Sequence, residues 1–340
     1  MRRSVQYVTL LSRGVQGLDL DFLNARYALN GPYGPAFPAG WTFVRADSNG
    51  TATAFQNDGS LVQFATGIPR ITNRGMLVEV ARTNLIQGSA APATQSRTVT
   101  AAAHTLSFYG TGSITLSGAS TAGPLNGTGA NNRVSLTFTP SAGSLTMTVS
   151  GDVRDAQLEL GAFASSPFLA AAASGSRGVD FPRVTNLATL FGQPFTVVSN
   201  TESLVGNTGV LPAPFSVSND IGGDNGGAAN RFLVYRTGTT FVLQSIRNNT
   251  VSSVNGTAPQ NALTGAIRMA LAWDGSTIRW ATNGLAGTDL TPTDTFSAPL
   301  NRLDVGRGSG DATTPTGSAT RQVRVLPYAA SASELIALTA

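Results

Sequence analysis

The chain has 340 residues, no cysteine and only 12% charged residues, which excludes disulfide frameworks, thiol nucleophiles and cysteine-ligated zinc. Its formal net charge of +4 includes 22 basic residues, all of them arginine, scattered singly apart from Arg2 and Arg3. A nucleic-acid surface gathers its basic residues on one face, so nucleic acid is not expected as a partner. No apolar run approaches the roughly 20 residues that span a bilayer, so membrane insertion is not expected either.

In chain order, MRRSVQYVTLL at the start carries two arginines before a short apolar run that Arg13 interrupts, and it reads as structure rather than a signal peptide. NGPYGPAFPAGW, 30–41, is too rich in Gly and Pro for regular structure. It reads as an ordered extended loop pinned by Tyr33, Phe37 and Trp41, which are also candidate anchors for a neighbouring subunit. Residues 104–149 show period-two alternation: Leu106 and Phe108, Ile114 and Leu116, Val134, Leu136 and Phe138, then Leu145, Met147 and Val149. Such spacing puts one set of side chains in a core and leaves Ser and Thr in water. DVRDAQLELGAF, 152–163, continues the series. The small-residue run in 163–185 suits a crossover to a second β region that opens near 190. There, RFLVYRTGTTFVLQSIR reads as two strands around Thr-Gly-Thr, and RMALAWDGSTIRW as a hairpin with Asp274-Gly275 at its turn. Trp273 and Trp280 fall on the apolar face of that hairpin and read as core. SASELIALTA ends the chain with a capping box, Ser331 and Glu334, ahead of Leu335 and Leu338. The expected fold class is all-β: two β-sandwich (jelly-roll) domains after an extended N-terminal region, closed by a short C-terminal helix.

Catalytic chemistry is hard to place. His104 is the only histidine, so no His-x-x-x-His metal pair exists, and no G-x-S-x-G turn announces a serine nucleophile. Asp19 and Asp21 share a strand face and call for neutralisation by Arg26 or Arg45; Asp152 and Asp155 flank Arg154 and suggest local pairing. The chain holds four glutamates, and one of them, Glu79, stands in the stretch RGMLVEVARTNLI, 74–86.

Several of these segments resemble tailed-bacteriophage virion appendage proteins. LDLDFLNARY…GWTFVRAD (18–47) and the hairpin ATAFQNDGSLVQFATGIPRI (52–71) look like their opening strands. GMLVEVARTNLI is close to a seam of the type GLLVEEARTNLL. DAQLELGAFASSPFLA resembles the AQLE strand that ends a carbohydrate-binding-module-like jelly roll, with Ser166-Pro167-Phe168 where that family has an aromatic Tyr. The last third is similar to laminin-G/concanavalin-like sandwiches.

The resemblance implies three segments: an N-terminal virion-attachment or oligomerisation region at 1–75, a small jelly roll at 76–185 and a laminin-G-like sandwich at 186–340. It implies that Glu79 and Arg82 sit at an inter-domain seam, where a carboxylate and a guanidinium can pair bidentately. No cofactor is expected. The candidate for a metal is the loop SNDIGGDNGGAAN, 218–230, where Asn219, Asp220, Asp224 and Asn225 offer oxygen ligands for calcium; a plain polar loop is the competing reading. The implied function is a non-enzymatic structural protein of a phage particle, a head decoration, fibre or tail component. Its expected partners are other virion proteins, further copies of itself and host-surface glycan, and its expected place is the virion. A phage-borne glycosidase or depolymerase and a secreted lectin or adhesin are the alternatives.

Overall fold

The computed structural model describes residues 15–203, 213–219, 230–237, 240–255, 265–308 and 317–340. The fold is all-β, with antiparallel sheets forming sandwiches and a short C-terminal helix. The chain divides into two compact units: one from 1–43, 74–78 and 181–340, the other from 44–73 and 79–180. The segments expected at 1–75, 76–185 and 186–340 therefore map differently. Long-range pairing is the reason: Leu18–Asp21 lies antiparallel to Ser318–Leu326, so the N-terminal strands belong to the same sheet as the last one.

In the first unit, one sheet runs in the order Arg26–Leu29, Leu18–Asp21, Ser318–Leu326, Phe195–Ser203, Gly265–Trp273, Ile278–Thr282, Leu285–Ala286. A second runs Thr250–Asn255, Thr240–Arg247, Arg231–Thr237, Phe215–Ser218, Arg302–Val305, Phe181–Val184, Trp41–Val44. Their inner faces meet through aromatic rings: Phe232 of the second sheet stands 6.1 Å from Phe195 and 5.5 Å from Trp273 of the first. Within Gly265–Trp273 the residues from Met269 to Trp273 are buried on both faces, which is why that half reads as continuous apolar sequence. Its small Ala270 and Ala272 pack with Leu335 of the terminal helix, Ala332–Thr339. The expected capping box is formed: Ser331 Oγ accepts from the Glu334 amide and the Glu334 carboxylate accepts from the Ser331 amide at 2.8 Å.

Trp273 and Trp280 are 9% and 1% exposed, as their place on the apolar face requires. The hairpin between them closes with a four-residue loop, because Trp273 pairs with Ile278. Asp274 caps that loop by accepting from the amides of Ser276 (2.9 Å) and Thr277 (2.8 Å). Trp280 Nε1 donates to the Thr288 carbonyl at 2.9 Å, which draws the chain so close that a Cβ on Gly287 would fall 2.0 Å from the indole. Gly287→Ala is expected to cost about 1–3 kcal/mol through overpacking, read as a fall in the thermal midpoint followed by tryptophan fluorescence.

In the second unit, one sheet orders Gln95–Val99, Gly143–Ser150, Ser113–Gly118, Leu125–Asn126, and another orders Gly129–Phe138, His104–Gly110, Val153–Leu160. The predicted alternation fills the space between them: Leu106, Phe108 and Leu158 from one sheet meet Ile114, Leu116, Leu145 and Met147 from the other. Thr105 and Ser107, expected to face water, are buried as well, because the Thr105 hydroxyl donates to the Gly161 carbonyl at 2.8 Å and the Ser107 hydroxyl accepts from Arg133 at 2.7 Å. His104 is buried at a strand start, its Nδ1 2.8 Å from the Ala102 carbonyl oxygen. The run 163–185 is not a bare crossover. It contributes Phe168–Ala170, paired with Gly50–Phe55, and Gly175–Arg177, held between Asp47–Ser48 and Arg82–Asn84.

Candidate functional site

The ARTNL stretch enters the second unit at Glu79 and immediately becomes interior. Glu79 is 4% exposed, and Arg70, Arg177 and Asp180 beside it are fully buried. Two arginines hold the carboxylate: Arg70 Nη1 at 2.8 Å and Arg177 Nη1 at 3.2 Å, both on Oε2. Ser166 donates its amide to Oε1 at 2.8 Å and its hydroxyl to Oε2. Arg70 reaches on to Asp180 at 2.5 Å, and Asp180 accepts the Glu79 amide at 2.8 Å. Arg45 pairs with Asp47 at 2.8 Å and stands 3.7 Å from Asp180. The cluster thus balances Arg45, Arg70 and Arg177 against Asp47, Glu79 and Asp180.

The expected pair of Glu79 with Arg82 is not made. Arg82 lies on the following strand and takes Glu159 instead, Nε to Oε2 at 3.2 Å, with its guanidinium 5.0 Å from the centre of the Phe163 ring. Glu159 is itself fastened to the ASSPF turn, accepting from the Ser165 amide at 2.8 Å and hydroxyl at 2.7 Å. Asn84 completes the connection. Its amide nitrogen donates to the carbonyls of Ala156 (2.9 Å) and Phe168 (2.8 Å), and its oxygen accepts from the amides of Ile86 (3.0 Å) and Leu158 (3.1 Å). The segments ARTNL, AQLE and SSPF are therefore one hydrogen-bonded unit in space. Arg70, Arg177 and Asp180 were not singled out from the sequence. Their signal was a lone charge among apolar or small neighbours, as in IPRI and GVDF.

This geometry suits charge storage, not proton transfer. Burial opposes ionisation of Glu79, but the guanidiniums of Arg177 and Arg70 and the Ser166 hydrogen bonds overcome it and hold the carboxyl down at about 2. An acid catalyst needs the opposite shift and an open cleft.

The strand carboxylates are also spoken for. Asp21 pairs with Arg26 at 2.9 Å; Asp19 accepts from the Tyr33 hydroxyl at 2.6 Å and from Gln322 at 2.8 Å; Arg45, the other expected partner, is engaged elsewhere. Asp152 pairs with Arg154 at 3.0 Å, whereas Asp155 takes no salt bridge among the described residues.

The loop aromatics bind their own unit. Phe37 stacks between Tyr27 and Trp41, 4.3 Å from each, so both of its faces are covered. Of the three expected anchors only Tyr33, 36% exposed, presents much of its surface outward. Of the calcium candidates, Asp220, Asp224 and Asn225 lie outside the described residues; Asn219 is described, and its side chain accepts from the Asn230 amide at 3.0 Å, closing the base of the loop.

No family model matches the chain, and no curated protein matches it. Among solved structures it is similar to the leech intramolecular trans-sialidase, with 19% identity and a TM-score of 0.36 over 44% of this chain and 24% of that one. It is similar to the CBM40 of the Ruminococcus gnavus IT-sialidase, with 18% identity and a TM-score of 0.37 over 46% of this chain and 91% of that one. The binding domain of botulinum neurotoxin serotype D/C gives 11% identity and a TM-score of 0.35 over 47% and 40%. The chain thus spans 24% of the leech enzyme's length. At these identities and scores neither a ligand nor an activity carries over, and the β-sandwich assignment stands on the chain's own sheets.

Proposed function

We propose that this chain is a non-enzymatic structural protein of a bacteriophage particle, presenting β-sandwich bodies that contact host-surface glycan. The observation that carries the reading is the burial of Glu79 between Arg70 and Arg177. The carboxylate at the centre of the appendage-like motif is spent on holding strands together. It is closed to substrate and fixed in its charged form. Three of the segments that carry the phage resemblance, VEVARTNL, AQLE and SSPF, meet in this network, which gives them a shared structural role. Few charges and many hydroxyls and amides suit weak glycan contact, which several copies per particle convert into avidity.

Two measurements test this. Antibody raised against the chain is expected to label purified particles in immuno-electron microscopy; particles free of the chain would contradict the virion role. Incubation with host polysaccharide is expected to release no reducing ends. Release that Glu79→Gln abolishes would replace this reading with a depolymerase.

A further inference from the structure

The second unit carries a groove of about 190 Å³, where the tip of the Gly50–Phe55/Leu61–Phe64 hairpin meets the bulged edge of Val153–Leu160. Two local features build it. Opposite Ser107–Tyr109, the register jumps from Gln157 to Arg154, so one extra residue is accommodated, and Asp155 takes a φ of +51°. Such a bulge re-aims a side chain, and here Asp155 becomes part of the groove wall. On the facing side, Gly59 brings the hairpin tip so near the start of Gly129–Phe138 that a Cβ would lie 2.4 Å from the Asn131 carbonyl oxygen. The groove therefore has a fixed width, set by backbone.

Four polar groups line this groove without a protein hydrogen-bond partner among the described residues: the Tyr109 hydroxyl, the Asp155 carboxylate and the side-chain amides of Gln63 and Asn131. Tyr109 is the telling one. Its ring is packed away, with the residue 3% exposed, and the little surface it keeps includes the hydroxyl, which opens into the groove. Burial pushes its phenol up to about 12, so it stays a neutral donor and acceptor. Leu61 and Leu169 supply apolar wall, and Arg154 stands at the rim, paired to Asp152 at 3.0 Å. At about 30 Å³ per water, the volume holds roughly six waters, the space of one sugar ring.

The geometry points to a binding site for a single neutral hexopyranose unit of a glycan. The Asp155 carboxylate accepts from neighbouring hydroxyls of the sugar, Tyr109, Gln63 and Asn131 each donate and accept, and the leucines meet a C–H face. Neutrality follows from the acceptor set. Asp155 makes no ion pair among the described residues, and the more distant Arg154, paired to Asp152, and Arg133 act on its carboxylate without contacting it, so the oxygens facing the groove favour hydroxyls over a second carboxylate. This rests on the reading of the chain as a glycan-contacting particle protein, and it assigns that contact to one place.

The test uses the full chain and methyl glucoside, galactoside and mannoside, with methyl glucuronide as the acidic control, followed by saturation-transfer NMR and calorimetry. At least one neutral hexoside is expected to bind saturably and methyl glucuronide not to bind. Tyr109→Phe and Asp155→Asn are each expected to weaken binding about tenfold. Gln63→Ala and Asn131→Ala, at exposed positions that do not threaten folding, are expected to weaken it several-fold. Binding that all four variants leave intact would move the contact elsewhere and overturn this assignment while sparing the proposed function. No binding of any neutral hexoside would overturn the site even if particles carry the chain. Preference for methyl glucuronide would overturn the charge argument. The virion role fails separately, through unlabelled particles.

Discussion

Glu79→Gln is expected to lower the stability of the unit formed by 44–73 and 79–180 by about 3–5 kcal/mol, the usual cost of removing one partner from a buried ion pair. Glutamine keeps the shape but leaves Arg177, fully buried, without its carboxylate, and leaves Arg70 with Asp180 alone. Hydrogen exchange on peptides from 79–180 is the direct readout, and unchanged protection would show that the pair is not held charged. The same group sets a pH dependence. Its carboxyl lies at about 2 in the fold against an ordinary 4.5, so the unfolded chain takes up the proton first as acid is added. The stabilisation is fully present above pH 4.5 and drains away as the pH falls from 4.5 to about 2. That shift corresponds to about 3 kcal/mol by linkage. In Glu79→Gln this acid-sensitive portion is expected to be missing, so the stability curves of the two proteins converge at low pH.

Asn84→Ala is expected to be comparably severe, at about 3–5 kcal/mol, although it removes no charge. The side chain satisfies four backbone groups at once: the carbonyls of Ala156 and Phe168 and the amides of Ile86 and Leu158. Each group left unsatisfied in the interior costs about 1–3 kcal/mol, less whatever water or relaxation recovers. Asn84→Asp separates hydrogen bonding from volume. It keeps the acceptor but turns the donor into a second oxygen facing two carbonyls, so it is expected to be no better than alanine. Urea unfolding followed by far-UV circular dichroism reads both, with a lower midpoint and an unchanged m-value. If Asn84→Asp matched the original chain, the assigned donors and acceptors would be wrong.

What the sequence made legible was whatever depends on periodicity. Leu106, Phe108, Ile114, Leu116, Leu145 and Met147 alternate with polar residues, and all are buried where alternation puts them. The capping box at Ser331 and Glu334 depends on a fixed local spacing and was equally legible. Partners distant in sequence were not. Glu79 meets Arg177 and Ser166 across 98 and 87 positions, and nothing local distinguishes those arginines from the nearer Arg82. Proximity in sequence made Arg82 the natural guess, but it sits on the strand Arg82–Asn84, beyond the irregular residues 79–81, and it finds Glu159. Asp155 shows the same limit. Its flanking Arg154 suggested a pair, and a one-residue bulge turned the carboxylate into a groove instead.

The most direct test of Glu79 as a permanently charged clamp is a pH titration of the glutamate side-chain carboxyl carbons by ¹³C NMR. The chain has only four glutamates, and the Glu79→Gln spectrum identifies the resonance. The signal is expected to stay at its ionised position as the pH is lowered past 4 and to begin moving only as about 2 is approached. A midpoint at or above 4.5 would contradict the clamp and reopen Glu79 as an acid available for chemistry.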